Sequence, residues 1–454
     1  MMRTNRTRVA VLAIAALGAV ALIAGGPLMA QKSGATKGAG GGAERAATID
    51  MNVVKPEMVG FSAERLENLH KLMQDTVDRK ELPGAVTILA RHGKVVDYRV
   101  YGAKDLESGA KLEKDSIFRD FSMTKPVTAV AMMILYEHGK WLPMDPISKF
   151  IPEFEHLKVF KDVDAAGNIV VEEPKHAPTM GELMTHTAGF TYGFFGNTPV
   201  DKEYNKQNVM NSKSLQEFID KLAKIPLMYQ PGTKWSYSAS MDVQGYIIEK
   251  LSGQSLPEFY AEHIFKPLGM KDAGFFVPAE KRDRFVTLYQ GSEKEPLKPS
   301  NARFDYTAQP GMPSGGGGMV STAEDYYRFA SMLANGGELN GVRIISPESV
   351  TLMSSNHLAA HLLNGEFGIG IHTMRSGFGY GYNCAVVFDP PAAGLPDGKG
   401  EFFWDGAAGT WFWVDPTNDV VFVGMIQRLL GPGSPNVEYL SRSTIYGALV
   451  EPKK

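Results

Sequence analysis

Cysteine is nearly absent from this sequence, since Cys384 is the single cysteine among 454 residues. An internal disulfide is therefore excluded, and the apolar residues Ala385 to Val387 that follow predict a buried strand rather than a reactive thiol. A charge surplus is missing as well: 47 basic and 50 acidic side chains leave a net charge of −3. We therefore expect no nucleic-acid partner, because binding to phosphates needs an excess of lysine and arginine.

The sequence does contain enough apolar material for a large core. Hydrophobic residues make up 44% of the chain and charged residues 21%, which is typical of a folded globular protein and excludes a disordered or collagen-like chain. The length fits about three domains of ordinary size, or one large domain with an inserted subdomain.

The first thirty residues have the pattern of a secretory signal peptide. Three arginines precede an apolar stretch over 9–24, and a Gly-Gly-Pro sequence interrupts it. We predict a signal over 1–30 that is cleaved on export, so that the mature protein is periplasmic or secreted and has no stable membrane insertion. The alternative is an uncleaved membrane anchor, although the stretch is shorter than the roughly 20 residues that a spanning helix needs.

Composition changes again after the signal. Residues 31–50 are mostly Gly, Ala, Ser and Lys, which predicts a flexible linker. We place one folded domain over 51–454.

Within that domain, strand patterns lie towards both ends and helical patterns fill the middle. A hairpin is predicted over 85–101, and later strands over 380–388, 402–403, 410–414 and 420–426. Helices are predicted over 62–80, 126–137, 215–224, 242–251, 323–335 and 437–450. The fold class is α/β (α+β): an antiparallel sheet built from both chain ends and flanked by helices, with an inserted, mainly helical subdomain. The predicted α/β lobe covers 51–118 and 366–454, and the helical lobe 119–365.

The segment Phe-Ser-Met-Thr-Lys-Pro, from Phe121 to Pro126, is the most informative short motif. Proline is tolerated only in the first turn of a helix, so a helix is predicted to begin near Ser122. Lys125 then lies on the same face as Ser122, and the apolar residues that follow predict a buried helix. Burial favours the neutral form of a lysine, which can accept a proton from the serine.

A second Ser-x-x-Lys sequence, from Ser108 to Lys111, shows that this motif alone is weak evidence. It lies in a Gly-containing stretch where no helix would align the two side chains. The context of Ser122 therefore decides between the two copies.

Four further segments follow the Ser122 motif along the chain. They are Met184–Gly189 (MTHTAG), Pro231–Ser238 (PGTKWSYS), Gly315–Asp325 (GGGGMVSTAED), and Trp404–Gly406 with Gly409–Thr410. With these five motifs in order, the chain resembles the serine β-lactamase-related superfamily, and within it the class C β-lactamases and the family VIII carboxylesterases. The resemblance covers about 59–448.

This resemblance implies roles for individual residues. Ser122 matches the acyl-accepting nucleophile, Lys125 its partner, and Tyr237 the general base and later acid. The backbone N–H groups of Ser122 and Ala407 would form the oxyanion hole. The implied pocket residues are Phe121, Ala239, Trp404, Asp405 and Gly406. Whether Lys125 or Tyr237 takes the first proton stays open, because the two can titrate as a coupled pair.

Two departures from the β-lactamase pattern concern the substrate. Trp404 stands where the family lysine would meet a substrate carboxylate, and Ala239 stands where an asparagine would bind an amide. The sequence therefore predicts a serine hydrolase that cleaves esters through an acyl-enzyme on Ser122. The alternatives are a β-lactamase, a D-Ala carboxypeptidase or D-aminopeptidase, or a binding protein without turnover. The predicted partner is a small-molecule ester or β-lactam-like substrate, and the oligomeric state is left open.

The histidines do not predict a metal site. His186 is expected to be structural, with Thr185 and Thr187 satisfying its ring nitrogens. His357 and His361 have the spacing of a metal pair but lack a third ligand, so we expect an ordinary helix surface there. The sequence thus predicts no metal and no cofactor.

Overall fold

The computed structural model describes residues 46–451 except 302–304, 364–367, 370–371, 374–375 and 432. The predicted signal over 1–30 and most of the predicted linker lie outside the described residues. The last linker residues belong to the folded domain, because Ala47 is buried and its N–H donates to the Pro267 carbonyl over 2.7 Å. Within these ranges, no helix is both long and apolar enough to cross a membrane.

The six predicted helices are present in the structure, and the long strands lie towards both ends of the domain as predicted. The structure also has strands of two to five residues in the middle of the chain, which the sequence analysis did not predict. The helices are α1 (Ala63–Asp78), α2 (Thr124–Glu137), α3 (Met180–Met184), α4 (Pro199–Lys206), α5 (Leu215–Leu222), α6 (Ser240–Ser252), α7 (Leu256–Tyr260), α8 (Lys266–Leu268), α9 (Ala323–Ala334), α10 (Pro347–Met353), α11 (Pro390–Ala393) and α12 (Val437–Ala448). The strands are β1 (Gly84–Arg91), β2 (Lys94–Gly102), β3 (Phe118–Arg119), β4 (Val159–Val163), β5 (Ile169–Glu172), β6 (Tyr289–Gln290), β7 (Lys298–Pro299), β8 (Val320–Ser321), β9 (Glu338–Leu339), β10 (Val342–Arg343), β11 (Gly368–Ile369), β12 (His372–Thr373), β13 (Phe378–Tyr380), β14 (Ala385–Val387), β15 (Glu401–Asp405), β16 (Trp411–Asp415) and β17 (Val420–Ile426).

One seven-stranded antiparallel sheet joins the two ends of the domain, as predicted. Its order is β13-β14-β15-β16-β17-β1-β2, and the two ends meet where β1 pairs with β17, for example at Ile88 and Val423. Every residue of β1 is buried, which is why its sequence is mostly apolar, apart from Thr87 and Arg91, and does not alternate between apolar and polar residues. Cys384, directly before β14, is buried, and burial raises the pKa of its thiol.

Helices cover this sheet. The apolar residues Leu66, Leu69 and Met73 of α1 recur at helical spacing and are buried, and α1 packs along α12. α9 packs against β16 and β17, where the ring of Tyr326 lies 5.0 Å from that of Phe412. α9 lies in the segment that the sequence analysis assigned to the helical lobe, and it packs on the sheet.

α2 is buried on all sides, as its sequence predicted. Each residue from Thr124 to Leu135 is buried, and the helix packs against α6. A helix that is held on every side fixes the positions of its first-turn side chains, among them Lys125.

A buried ionic cluster links α12 to the sheet. The Arg442 guanidinium donates to both Asp397 and Glu401, and all three side chains are almost inaccessible to water. Rings of Phe403 and Trp413 each lie 4.5 Å from the guanidinium carbon. Because the carboxylates have lost their hydration, the fold depends on this one cation.

We expect the substitution Arg442→Met to lower the free energy of unfolding by about 3–5 kcal/mol, because it leaves buried carboxylates without their counter-ion. Urea denaturation measures the change. The control is Arg79→Met, since Arg79 pairs with Glu81 at the surface, where a loss of at most about 1 kcal/mol is expected. Equal losses in the two variants would contradict this account.

Candidate active site

Ser122 lies on a single 3-10 turn, Phe121–Met123, that leads directly into α2. The φ angle of Phe121 is 46°, in the left-handed region that bulky residues avoid, so the surroundings must hold the turn in place. Asp120 provides two of these contacts: its carboxylate accepts from the Ser321 hydroxyl over 2.8 Å, and its carbonyl accepts from the Thr410 hydroxyl over 3.1 Å.

The structure brings together the three residues to which the sequence assigned chemistry. Lys125 Nζ lies 2.9 Å from Ser122 Oγ, and Tyr237 OH donates to the same oxygen over 2.8 Å. Lys125 Nζ also donates to the Gly316 carbonyl over 2.6 Å. Lys125 and Tyr237 are only 1% and 4% exposed, whereas Ser122 is half-buried. A molecule that enters the site therefore meets the serine hydroxyl first.

Burial separates the acidities of the two partners of Ser122. It lowers the pKa of Lys125 to about 7, although the nearby Asp242 and Asp405 carboxylates act in the opposite direction. Burial raises the pKa of Tyr237 above its usual range. Near neutral pH, Lys125 can therefore lose its proton, while Tyr237 keeps its own.

Asp242, on the first turn of α6, supports this arrangement and was missed by sequence reasoning. Its Oδ1 accepts from the Ser314 hydroxyl over 2.5 Å and from the Gly316 N–H over 3.3 Å. It thus fixes the loop whose carbonyl holds Lys125. The signal in the sequence is an acidic residue at the start of a predicted helix, five positions after Tyr237.

Position 316 has no room for a side chain larger than that of glycine. A Cβ atom at this position would lie 2.6 Å from the Tyr192 hydroxyl and 2.8 Å from Asp242 Oδ2. The expected role of the glycine run, which was close backbone approach beside the pocket, therefore agrees with the structure.

Trp404 does not lie where the sequence analysis expected it. It was predicted to present an aromatic face to the substrate, but it is 1% exposed and does not line the cavity at Ser122. Instead, its indole Nε1–H points at the Tyr237 hydroxyl over 3.4 Å. The neighbouring Asp405 acts on the site through its charge rather than by lining the cavity.

The predicted position of Ala239 in the substrate pocket is also wrong. It is fully buried at the start of α6, and its N–H donates to the Thr191 carbonyl over 3.3 Å. It was assigned to the substrate pocket, yet it does not line the cavity, because the chain has already turned inward into α6.

Gly406 allows the loop that precedes Ala407 to approach the turn that carries Ser122. A Cβ atom on Gly406 would lie 2.3 Å from both the Asp120 carbonyl and the Thr410 hydroxyl, so the loop lies directly against the turn that carries Ser122. The next residue, Ala407, lines the cavity. Ser122 lines the same cavity, and the assignment of the Ala407 N–H to the oxyanion hole stays a prediction.

The cavity in front of Ser122 has a volume of about 250 Å³ and is mainly aromatic. Phe121 lines it as predicted, whereas Tyr192, Phe194 and Phe195 were not foreseen. Phe194 and Phe195 are 46% and 49% exposed, so they form its rim. The signal for them in the sequence is the aromatic run that directly follows the MTHTAG segment.

Two other residues singled out in the sequence, Ser108 and His357, make contacts outside the site. The Ser108 hydroxyl is exposed and donates to Asp105 over 2.6 Å, so the second Ser-x-x-Lys copy pairs with a carboxylate. His357 is in a loop rather than on the expected helix surface, where its ring stacks on Tyr382 at 4.3 Å. In the described part of the chain, no three His, Cys, Asp or Glu side chains are grouped so that they could hold a metal ion.

His186 has different partners from those expected. Thr185 and Thr187 were predicted to satisfy its ring, but their hydroxyls pair with each other over 2.9 Å. The Nδ1 atom of His186 instead lies 3.0 Å from the Ser238 hydroxyl, next to Tyr237.

Comparison with known proteins agrees with this geometry. The family model described as Beta-lactamase matches residues 69–442. The chain belongs to the beta-lactamase family.

Relatives of this family member include an esterase. The chain is 36% identical over 361 residues to an uncharacterized protein of Mycobacterium tuberculosis, covering 78% of this chain and 88% of the relative. It is 30% identical over 390 residues to Esterase EstB of Burkholderia gladioli, covering 81% and 91%. The solved structure of EstCE1, a hydrolase with promiscuous acyltransferase activity, matches with a TM-score of 0.71 at 24% identity, covering 85% and 99%. The fold and family implied by the five motifs are therefore confirmed.

For this family member, we expect Gly406→Ala to slow the labelling of Ser122 by a fluorophosphonate about 100-fold or more. The added methyl group displaces the Ala407 N–H, and loss of one oxyanion donor costs about two to three orders of magnitude in comparable sites. Mass spectrometry over time measures the labelled fraction. The control is Gly447→Ala on α12, where an added Cβ meets no atom within 4 Å. Equal labelling rates in both variants would contradict the assigned position of Ala407.

Proposed function

We propose that this beta-lactamase family member hydrolyses carboxylic esters through a covalent acyl-enzyme on Ser122. The observation that carries the proposal is the contact of Ser122 Oγ with Lys125 Nζ, at 2.9 Å, and with Tyr237 OH, at 2.8 Å. Esterase activity in the relative EstB, at 30% identity, supports the substrate class.

The lowered pKa of Lys125 supports this residue as the first proton acceptor. Its neutral amine, favoured by burial, takes the proton from Ser122 Oγ as that oxygen attacks the acyl carbon. The backbone N–H groups of Ser122 and Ala407 hold the resulting oxyanion, each contributing about 3 kcal/mol to the transition state. The Tyr237 phenol then gives its proton to the departing alkoxide.

Deacylation restores both partners. A water molecule attacks the acyl carbon and gives a proton to the Tyr237 phenolate. This attack forms the second oxyanion intermediate. This intermediate releases the acid, and Ser122 Oγ recovers its proton from the Lys125 ammonium. The ester and one water become an alcohol and an acid, and the enzyme returns to its starting state.

The shape and polarity of the cavity favour an ester over a β-lactam or a D-Ala peptide. Of the described residues that line the cavity, none is cationic, so the carboxylate of a penicillin would find no partner on its walls. Trp404 stands at the position of the family lysine and contacts Tyr237 instead. Tyr192, Phe194 and Phe195 offer apolar surface to an uncharged acyl or alcohol group.

We expect Ser122→Ala to reduce hydrolysis of p-nitrophenyl butyrate by about a thousandfold or more, because the acyl-enzyme cannot form. The matched control is Ser108→Ala, which alters the other Ser-x-x-Lys serine and should leave the rate unchanged. Both variants, and the unaltered protein, are assayed beside a chromogenic cephalosporin and a D-Ala-D-Ala peptide. Retained esterase activity in Ser122→Ala would refute the proposal, and faster turnover of the cephalosporin would favour a β-lactamase.

We expect kcat/KM for the ester to rise with pH and to level off above about pH 7, the pKa of Lys125. Below that pKa the amine is protonated, so the rate falls about tenfold per pH unit. Initial rates between about pH 5 and pH 9 measure the profile, and circular dichroism checks that the protein stays folded. A flat profile across this range would contradict the assignment of Lys125 as the base.

A further inference from the structure

His186 is a buried histidine beside the site for which the proposed mechanism has no role. It follows α3, is 1% exposed, and has a φ angle of 60°. This left-handed conformation is uncommon outside glycine, so strong local contacts must maintain it. Its ring packs against Trp235, Tyr237 and Tyr380, and Tyr237 is the nearest of the three.

Hydrogen bonds to His186 bracket Tyr237 on both sides. The His186 carbonyl accepts from the N–H of Ser236 over 2.9 Å. The ring nitrogen Nδ1 accepts from the N–H of Ser238 over 3.2 Å. The residue before the tyrosine and the residue after it are therefore both tied to the same histidine, which fixes the backbone of Tyr237.

The imidazole also supports the phenol ring directly. The ring centroids of His186 and Tyr237 are 4.8 Å apart, at an interplanar angle of 54°. Trp404 contacts the phenol as well, with centroids 5.6 Å apart. The phenol is thus held between an imidazole and an indole, and its hydroxyl points to Ser122.

The hydrogen bonds define the protonation state that this support needs. A backbone N–H can only donate, so Nδ1 must carry no proton and the neutral ring must be protonated at Nε2. Burial, together with the charge of Lys125, lowers the pKa of His186 well below its usual value. The ring therefore remains a neutral acceptor rather than a proton carrier, which separates its role from that of Lys125.

We propose that His186 is a positioning residue for Tyr237: its carbonyl and Nδ1 fix the backbone on either side of the tyrosine, and its ring sets the direction of the phenol hydroxyl towards Ser122. This inference rests on the proposed function, in which Tyr237 gives a proton to the leaving alkoxide. His186 does not line the cavity, and the residue of the proposed mechanism that its ring contacts is Tyr237.

The decisive variant is His186→Asn. Asparagine tolerates a positive φ, and its side-chain oxygen can replace Nδ1 as the acceptor for Ser238, whereas the ring that supports the phenol is lost. We expect kcat to fall about 10- to 100-fold with KM nearly unchanged, because a small misplacement of a catalytic group has a cost of this order. The matched control is His70→Asn, since His70 is a buried histidine that bonds Asp97 away from the site.

Leaving-group dependence separates positioning from a general structural effect. An alkyl ester needs protonation of its alkoxide more than a p-nitrophenyl ester does, so we expect His186→Asn to slow ethyl butyrate at least several-fold more than p-nitrophenyl butyrate. In the Tyr237→Phe background, His186→Asn should cause no further loss, because the residue it positions is already inactive. Both comparisons use kcat from steady-state kinetics.

Three results would overturn the inference: equal losses for the two esters, losses that multiply in the double variant, or a raised KM with kcat unchanged. If His186→Asn fails to fold, Ser238→Ala removes the 3.0 Å contact between the hydroxyl and Nδ1, together with the 2.8 Å contact to the Ser240 hydroxyl, and a smaller loss with the same leaving-group dependence is expected. Equal losses for the two esters in that variant would equally contradict the inference. The Ser122→Ala variant distinguishes failure of this inference from failure of the proposed function. Retained esterase activity in Ser122→Ala refutes the proposed function itself.

Discussion

Removal of the Lys125 amine from water is the constraint on which this site depends. A buried ammonium is costly unless it is paired, and the closest partners of Lys125 Nζ are neutral oxygens, the Ser122 hydroxyl and the Gly316 carbonyl. The amine therefore favours its neutral form, and the serine next to it has a base. The amine stays neutral only while the surrounding protein excludes water from it. The burial of α2 on every side provides this exclusion.

The rest of the structure holds the partners of that amine in place. Asp242 fixes the glycine loop that binds Lys125, and Asp120 ties the nucleophile turn to the loop that follows β15. Two non-glycine residues beside the site, Phe121 and His186, adopt positive φ angles of 46° and 60°. Such conformations persist only where neighbouring contacts outweigh their cost, so the precision of the site rests on packing contributed by segments far apart in sequence.

Local chemistry made part of this site predictable. Ser122 and Lys125 are three residues apart, and Pro126 places them in a first helical turn, so their contact follows from the geometry of one turn. Tyr237 was reached only through the order of the family motifs. Trp404 follows the predicted strand 402–403 directly and belongs to β15 in the structure. The group that it contacts was not predicted, because a strand sequence does not say what lies opposite each face. Asp242 was missed since its role depends on a loop more than seventy positions away.

The sequence by itself determined most strands of the central sheet, six of the twelve helices of the described residues and the pairing of Ser122 with Lys125, because apolar runs, helical periodicity and a proline act over a few residues. Only the tertiary structure decided that α9 packs on the sheet and that aromatic residues after the MTHTAG segment form the cavity rim. It also decided that Trp404 and His186 both face Tyr237. These contacts join residues that are distant along the chain, and burial, which sets the acidity of Lys125, exists only after all of those segments have packed together.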